Sequence, residues 1–327
     1  MKALVRAESW PIRGGFRIAR GARSSADVVV LELHDGGSIG RGECVPYARY
    51  GESIDTVSVE IEASCRNLLG PDAHEQLASM RPGAARNAID CALWDLNAKR
   101  TGTEVWRLAG LASPPRAVHS MRTVSVDCAE NMKTAAAGLS RAAVIKVKVD
   151  GGSDLERIAA VHEVAPDAKL VIDANEGWSE QQLKAWLPRL RKLGVVLLEQ
   201  PLAAGEDAVL ESLEHDVPIC ADESFHDRSS FSEVLGRYDL VNIKLDKTGG
   251  LSEALHCARE AKRLGLQVMV GCMVSTSLAI EPALLLASSA EYIDLDGPLL
   301  LERDREGARH DRDAGLLRPS GSIWGAL

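Results

Sequence analysis

VIKVKVDGGSDLERIAAVHEVAPDAKLVIDAN, residues 144–175, is a complete strand–helix–strand unit, and its reading decides the fold. The first residues alternate, and Lys146 and Lys148 fall at i and i+2, on one face of the strand. DLERIAAVHEVA repeats its apolar residues at helical spacing, and LVID returns to β-formers before Asp173. Taken alone, the alternation describes a half-exposed strand with two wet lysines. The rest of the chain argues otherwise. Short β-branched runs recur at RTVSV, VIKVKV, LVIDAN, VVLLEQ, PICADE, LVNIKL, QVMVGC and YIDLDG, with amphipathic helical stretches between successive runs. Their ends, Lys148, Asp173, Glu199, Asp222, Lys247, Cys272 and Asp294, fall 22 to 26 residues apart. Strand–helix alternation at this pitch demands right-handed crossovers and a parallel sheet. Eight such units close into a (β/α)8 barrel. An open doubly wound sheet is the alternative, but these strands end in charges and no G-x-G-x-x-G follows the first. Strands of a parallel barrel are buried on both faces. Lys146 and Lys148 are therefore expected inside the C-terminal mouth, where burial beside a like charge lowers the pKa of one of them.

The 327 residues leave room for a second, smaller unit. Residues 1–115 read as an α+β capping domain, with a hairpin about Asp35-Gly36-Gly37 and helices near 54–70 and 84–101. The second helix keeps Ala88, Cys91, Ala92 and Leu96 on one face and ends at Gly102. Pro114-Pro115 marks the boundary to the barrel, 116–297. The last stretch, 298–327, loses the period and is expected to pack back on the capping domain.

A net charge of −9 argues against nucleic-acid and anionic-membrane partners. No run of about 18 apolar residues offers a membrane span. Seven cysteines without CxxC spacing read as reduced thiols, and MKALVRAESWPIRGG holds no apolar signal core, so a cytoplasmic location is expected. The oligomeric state, a homo-oligomer included, is left open.

Three successive strands end in acids: Asp173, Glu199 and Asp222. A single Asp after a strand is a common helix cap. Three converging on one mouth repel unless a cation sits among them, and hard oxygen donors without His or Cys suit Mg²⁺ rather than zinc. Asn175 and Glu223 are close enough to be auxiliary ligands. The sixth strand, read as VNIKLDKTGG, brings Lys244 and Lys247 across the barrel from Lys148. Two bases on opposite faces of one carbon, with a cation beside the adjoining carboxylate, form the equipment for 1,1-proton transfer through an enediolate, Lys146 helping to hold its charge. The last strand ends in Asp294 and Asp296, which read either as a site for an ammonium group or as an Asp-Gly-Pro turn.

KVK at 146–148, the acid series, NIKLDKTGG and DLDGP at 294–298 together resemble the enolase superfamily, in its muconate-lactonizing subgroup, and within that the dipeptide epimerases. The resemblance covers essentially the whole chain, and DLDGP is its most particular marker. It implies one Mg²⁺ per subunit on Asp173, Glu199 and Asp222, with Lys148 and Lys247 as the acid/base pair and Lys146 assisting. It gives the α-ammonium of a dipeptide to Asp294 and Asp296, and a substrate contact to Thr123. An arginine of the capping loop is expected on a glutamate side chain; Arg20 and Arg23 both qualify, and Arg23 is favoured. The implied substrates are L-Ala-D-Glu and L-Ala-L-Glu, from murein peptides. An o-succinylbenzoate synthase, an N-acylamino acid racemase, a dipeptide epimerase of other specificity and a non-catalytic barrel are the alternatives.

Overall fold

Three antiparallel strands, β1 (Lys2–Ile18), β2 (Gly21–Asp35) and β3 (Ser38–Cys44), begin the chain in the computed structural model, which describes residues 1–18, 21–67, 73–139 and 141–325. The hairpin joining β2 to β3 pairs Asp35 with Ser38, and Gly36 and Gly37 both take positive φ (57° and 86°). A two-residue turn of that hand is open to glycine at no steric cost. Helix α1 (Ile54–Asn67), a further short helix α2 (Ala73–Ser79) and α3 (Ala84–Thr101) follow. The face Ala88, Cys91, Ala92 and Leu96 is buried, and α3 ends as expected, Gly102 in the left-handed region donating to Ala98 O.

β2 is covered on both sides, so its apolar residues run consecutively. Val29, Leu31 and Leu33 pack with residues of α1 and α3. Val28 and Val30 point the other way, into the core that continues through the barrel. At about 1.5–3 kcal/mol for each fully buried large aliphatic side chain, this two-sided strand welds the halves of the molecule together.

A short strand β4 (Val118–His119) leads into the barrel. Its strands are β5 (Arg122–Val124), β6 (Val144–Lys148), β7 (Lys169–Asp173), β8 (Val195–Glu199), β9 (Ile219–Ala221), β10 (Leu240–Lys244), β11 (Gln267–Gly271) and β12 (Tyr292–Asp294), parallel and neighbours in chain order. Met121 N–H donates to Ile293 O (2.8 Å) and Leu295 N–H to Ser120 Oγ (2.8 Å), drawing the last strand to the first. Inside, Met121, Val171, Leu197, Cys220, Leu240 and Met269 form an apolar plug. With a period of two, the next inward positions are Thr123, Asp173, Glu199, Asp222, Asn242 and Gly271. The polar layer therefore stands directly on the plug.

Two expectations need correction. β10 stops at Lys244, and Lys247 lies on the one-turn helix Leu245–Thr248 that follows, not on the strand. The crossovers into β9 and β10 carry only the 3-10 turns Ala208–Ser212 and Arg228–Ser230 and the one-turn helix Phe231–Val234, because Pro and Gly punctuate 201–218 and 231–236 holds too few residues before Gly236 for a longer helix. After β12 the chain returns to both units. β13 (Leu316–Leu317) pairs with β4, Leu301 bridges to Ile12, and Trp324 Nε1–H donates to Cys91 O (2.9 Å). Among the described residues no helix is long and apolar enough to cross a membrane.

β3 lies against the backbone of α3 because it has glycine there: a Cβ on Gly42 would stand 2.1 Å from Ala88 O, and one on Gly40 2.2 Å from Ala92 O. Gly42→Val is therefore expected to destabilise the protein by about 3 kcal/mol, read as a lowered urea midpoint at unchanged slope; an unchanged midpoint would refute the close packing.

Candidate active site

Register places the inward residues side by side: Thr123 beside Lys146, Lys148 beside Asp173, and Asp173 beside Glu199. Asp222 is the residue after β9. All are buried except Thr123, which is half-buried. Four ammonium groups lie among four carboxylates. Lys146 Nζ is 2.6 Å from Glu199 Oε2, 2.6 Å from Asp294 Oδ2 and 3.0 Å from Asp173 Oδ2. Lys148 Nζ donates to Asp173 Oδ2 (2.5 Å) and to Asn175 Oδ1 (3.2 Å). On the far side, Lys244 donates to Asp222 Oδ2 (2.7 Å), and Lys247 to Asp222 Oδ1 (2.6 Å) and Asn242 O (3.0 Å).

These surroundings sort the groups. Burial works against the charge of Lys146, but Asp173, Asp294 and Glu199 outweigh it and hold its pKa above the ordinary lysine value. Lys244 is likewise raised, burial being overcome by Asp222 and Glu199. Lys247 goes the other way: burial lowers it, Asp222 restores only part, and Lys244 repels. Lys146, expected beside a like charge, is thus raised rather than lowered, because Asp294 from the last strand joins the acids around it, whereas Lys247 beside Lys244 is lowered. Burial and then Asp173 push the Glu199 carboxyl up to about 8, while Lys146 and Lys148 keep Asp173 well below the usual range against the effect of burial.

Among the described residues no group of three or more His, Cys, Asp or Glu side chains is arranged to hold a metal ion, since lysine ammonium groups stand between the acids. The donors nonetheless fit a hard cation: three carboxylates on successive strand ends. Glu199 Oε2 is the telling atom. Lys146 is near it, but outside hydrogen-bonding geometry, so that oxygen has no hydrogen bond.

Amide side chains that the sequence reading passed over hold this layer in place. Asn242 Nδ2–H donates to Glu199 Oε1 (2.8 Å). Gln200 Oε1 accepts from the backbone N–H groups of Asp222 (2.8 Å) and Ser224 (3.0 Å). Asn242 had a signal, standing two residues before Lys244 on one face; Gln200 had none. Gln200 (φ 36°), Asn175 (φ 44°) and Glu176 (φ 69°) are the non-glycine residues with positive φ among those described, and each lies within three residues after Asp173 or Glu199. Backbone of this kind persists only where surrounding contacts over-determine it.

Above the layer opens a cavity of about 290 Å³ between cap and barrel. Lys148, Asp222 and Lys244 lie on its barrel side, Met273 and Val274 on its flank, and Phe16, Arg23 and Tyr47 come from the cap. The Arg23 guanidinium stacks 5.4 Å from the Tyr47 ring centre. Arg49 also lines the cavity, but Glu176 takes it in a two-pronged pair (2.9 and 2.7 Å). Arg20 lies outside the described residues. Lys146, Lys247, Thr123, Asp294 and Asp296 are not on the cavity wall. Asp294 is engaged by Lys146, and Asp296 Oδ2 accepts from Thr123 N–H (2.8 Å). Burial, then Asp294, push the Asp296 carboxyl up to about 6.

Residues 1–110 match the model of the mandelate racemase/muconate lactonizing enzyme N-terminal domain, and residues 126–319 that of enolase C-terminal domain-like proteins. The chain is 47% identical to the L-Ala-D/L-Glu epimerase of Escherichia coli K12, over 92% of this chain and 94% of that one. It is 40% identical to an N-acetyl-D-glutamate racemase of a Pseudoalteromonas species, over 91% and 95%. Among solved structures, an enolase family member from Agrobacterium tumefaciens with homology to dipeptide epimerases superposes with a TM-score of 0.94 at 44% identity, covering 97% of both chains. That crystal holds sodium and L-Ala-L-Glu, with an ordered loop.

The charge balance beneath the cavity makes Lys146 costly to lose. Lys146→Met leaves Asp173, Glu199 and Asp294 without their shared cation, and a loss of about 3–5 kcal/mol of stability is expected. Equilibrium unfolding of the metal-free variant measures it; a loss below about 1 kcal/mol would show that the acids do not depend on this ammonium.

Proposed function

This chain belongs to the mandelate racemase/muconate lactonizing enzyme family of the enolase superfamily, and we propose that it epimerises a dipeptide at the α-carbon of its C-terminal residue by two-lysine proton transfer. It is an isomerase, like the epimerases and racemases it resembles. The observation that carries the reading is that Lys148 and Lys247 bracket the row of acids, one bound to Asp173 and the other to Asp222. A substrate carboxylate over that row presents its α-carbon between the two amines. One lysine removes the α-proton, the electron pair passes into the carboxylate as an enediolate, and the other lysine protonates the opposite face. Lys146, held cationic by the acids around it, would oppose charge building on the carboxylate oxygens.

Asp173, Glu199 and Asp222 would hold one Mg²⁺. Bound there, the cation stabilises negative charge on the substrate carboxylate. Asp294 and Asp296 would take the dipeptide's ammonium group, with Thr123 fixing Asp296. Arg23, which lines the cavity, would take a glutamate side-chain carboxylate. Those assignments favour L-Ala-D-Glu and L-Ala-L-Glu, and hence a place in the breakdown of murein peptides. A second reading, racemisation of N-acylated glutamate, is favoured by one observation: both acids meant for the ammonium are already engaged, by Lys146 and by Thr123.

Lys148→Ala and Lys247→Ala are each expected to lower epimerisation of L-Ala-L-Glu by about 10²–10⁴-fold while one epimer still exchanges its α-proton with D₂O. Normal epimerisation by both variants would end the two-base scheme. Asp296→Asn should raise KM for the dipeptide at least about tenfold, the loss of a charge-assisted contact, and leave N-acetylglutamate untouched; the reverse preference in the unaltered protein would favour the racemase reading. Protonation of Asp296 removes the negative charge an ammonium needs. The ratio of kcat/KM for the dipeptide to that for N-acetylglutamate should therefore fall as pH drops through about 6, and a flat ratio would remove Asp296 from ammonium binding.

A further inference from the structure

The face Asn87, Asp90, Cys91 and Trp94 of α3, at i, i+3, i+4 and i+7, is set against the segment that carries Lys247. Asn87 Nδ2–H donates to Asp246 Oδ1 (2.8 Å), and the same oxygen accepts from Val45 N–H (3.0 Å), just beyond β3. Asp246 is buried and adjoins Lys247 on the one-turn helix. Three and four residues beyond Asp246, Gly249 and Gly250 bring the backbone against α3. A Cβ on Gly250 would stand 2.5 Å from Asp90 Cβ, and one on Gly249 2.8 Å from Arg86 Cδ, with φ at 112° and 78°. Ser252 then closes the contact, its N–H and Oγ–H both donating to the Asp90 carboxylate (2.9 and 2.6 Å). The turn bearing Lys247 is thus gripped by the cap before and after the lysine.

Lys148 is held differently. It stands at the end of β6, in register with Asp173 of the neighbouring barrel strand, and its amine is tied to Asp173 and Asn175. The amine of Lys247 is likewise tied inside the barrel, to Asp222 and Asn242 O, and the cap's Phe16 ring faces the Lys148 amine. Of the two, only the turn that carries Lys247 has its backbone set by a helix of the cap. We propose that α3 is the positioning element for Lys247, acting through the Asn87–Asp246–Val45 hydrogen bonds, so that this helix sets the reach of one base and not of the other. The inference rests on the two-lysine reading. Reach matters because proton transfer is steep in geometry: a displacement of about 1 Å can cost about 10²-fold.

The test follows α-proton exchange in D₂O by NMR, with the full-length protein, Mg²⁺, and L-Ala-L-Glu and L-Ala-D-Glu as separate probes. N-acetyl-L- and N-acetyl-D-glutamate replace them if the dipeptides are not turned over. Lys148→Ala and Lys247→Ala first assign each epimer to its lysine. Asn87→Asp, which sets two carboxyl groups against each other, and Asp246→Ala are then expected to slow exchange at least about tenfold for the epimer served by Lys247. Exchange of the other epimer should stay within about twofold, which also reports that the variants are folded. Asp246→Asn keeps an acceptor oxygen and should recover most of the lost rate. Asp95→Asn loosens α3 elsewhere, where Asp95 binds Arg41 N–H and Gly325 N–H, and should not single out one epimer. Parallel loss of both epimers in Asn87→Asp and Asp246→Ala, no loss in either, or the same one-sided loss in Asp95→Asn would overturn the inference. If Lys148→Ala and Lys247→Ala themselves give no one-sided pattern, the two-lysine reading fails and takes this one with it.

Discussion

Everything near the cavity depends on one electrostatic constraint: ionised groups buried on an apolar plug must neutralise one another. Lys146 touches three carboxylates from three strands, β7, β8 and the last, β12. It is a cross-brace through the barrel as well as a charge. Lys244 and Lys247 do the same for Asp222 on the opposite side. Pairing is incomplete at Glu199, where burial and a neighbouring acid leave the carboxylate short of positive charge. One Glu199 oxygen, Oε2, is left without a hydrogen bond.

The supports of this layer come from outside it. Gln200 holds the backbone of Asp222, Asn242 holds Glu199, and Asp246 is held by the cap. Strained residues just beyond Asp173 and Glu199 turn the chain sharply after each acid, and Glu176 uses its turn to reach Arg49 in the cap. The cap is thus bound at the mouth by an ion pair and at its base by buried hydrogen bonds.

Much of this was legible before any coordinates. Strand period, strand pitch and the burial of parallel strands on both faces were enough to turn Lys146, Lys148, Asp173, Glu199 and Asp222 inward together. Those are local patterns repeated in register, and register carries them into space. What was not legible depended on closure of the barrel. That Asp294 meets Lys146 requires β12 to return beside β5, and so the direction in which Lys146 is shifted could not be read from IKVKVD alone. Lys247 was read as a strand residue because NIKLDK continues an alternating look, while the turn it occupies is imposed by Gly249, Gly250 and the cap behind them. Asn242 shares a face with Lys244, but Gln200 carries no charge and follows no period, so nothing in the string distinguishes that brace from a surface residue.

The return of the C-terminal segment has a consequence for how the molecule is made. Glu43, buried in the cap, is pushed up by desolvation and finds its cation in Arg305, 262 residues later. Trp324 seals α3 from still further along. At about 5–20 residues per second, the ribosome delivers Arg305 some tens of seconds after Glu43. The cap emerges first and is completed last. Until then Glu43 lacks that cation, and the faces of β2 and α3 that belong against the barrel lack their partner, so the packing of the cap is completed only by the end of the chain.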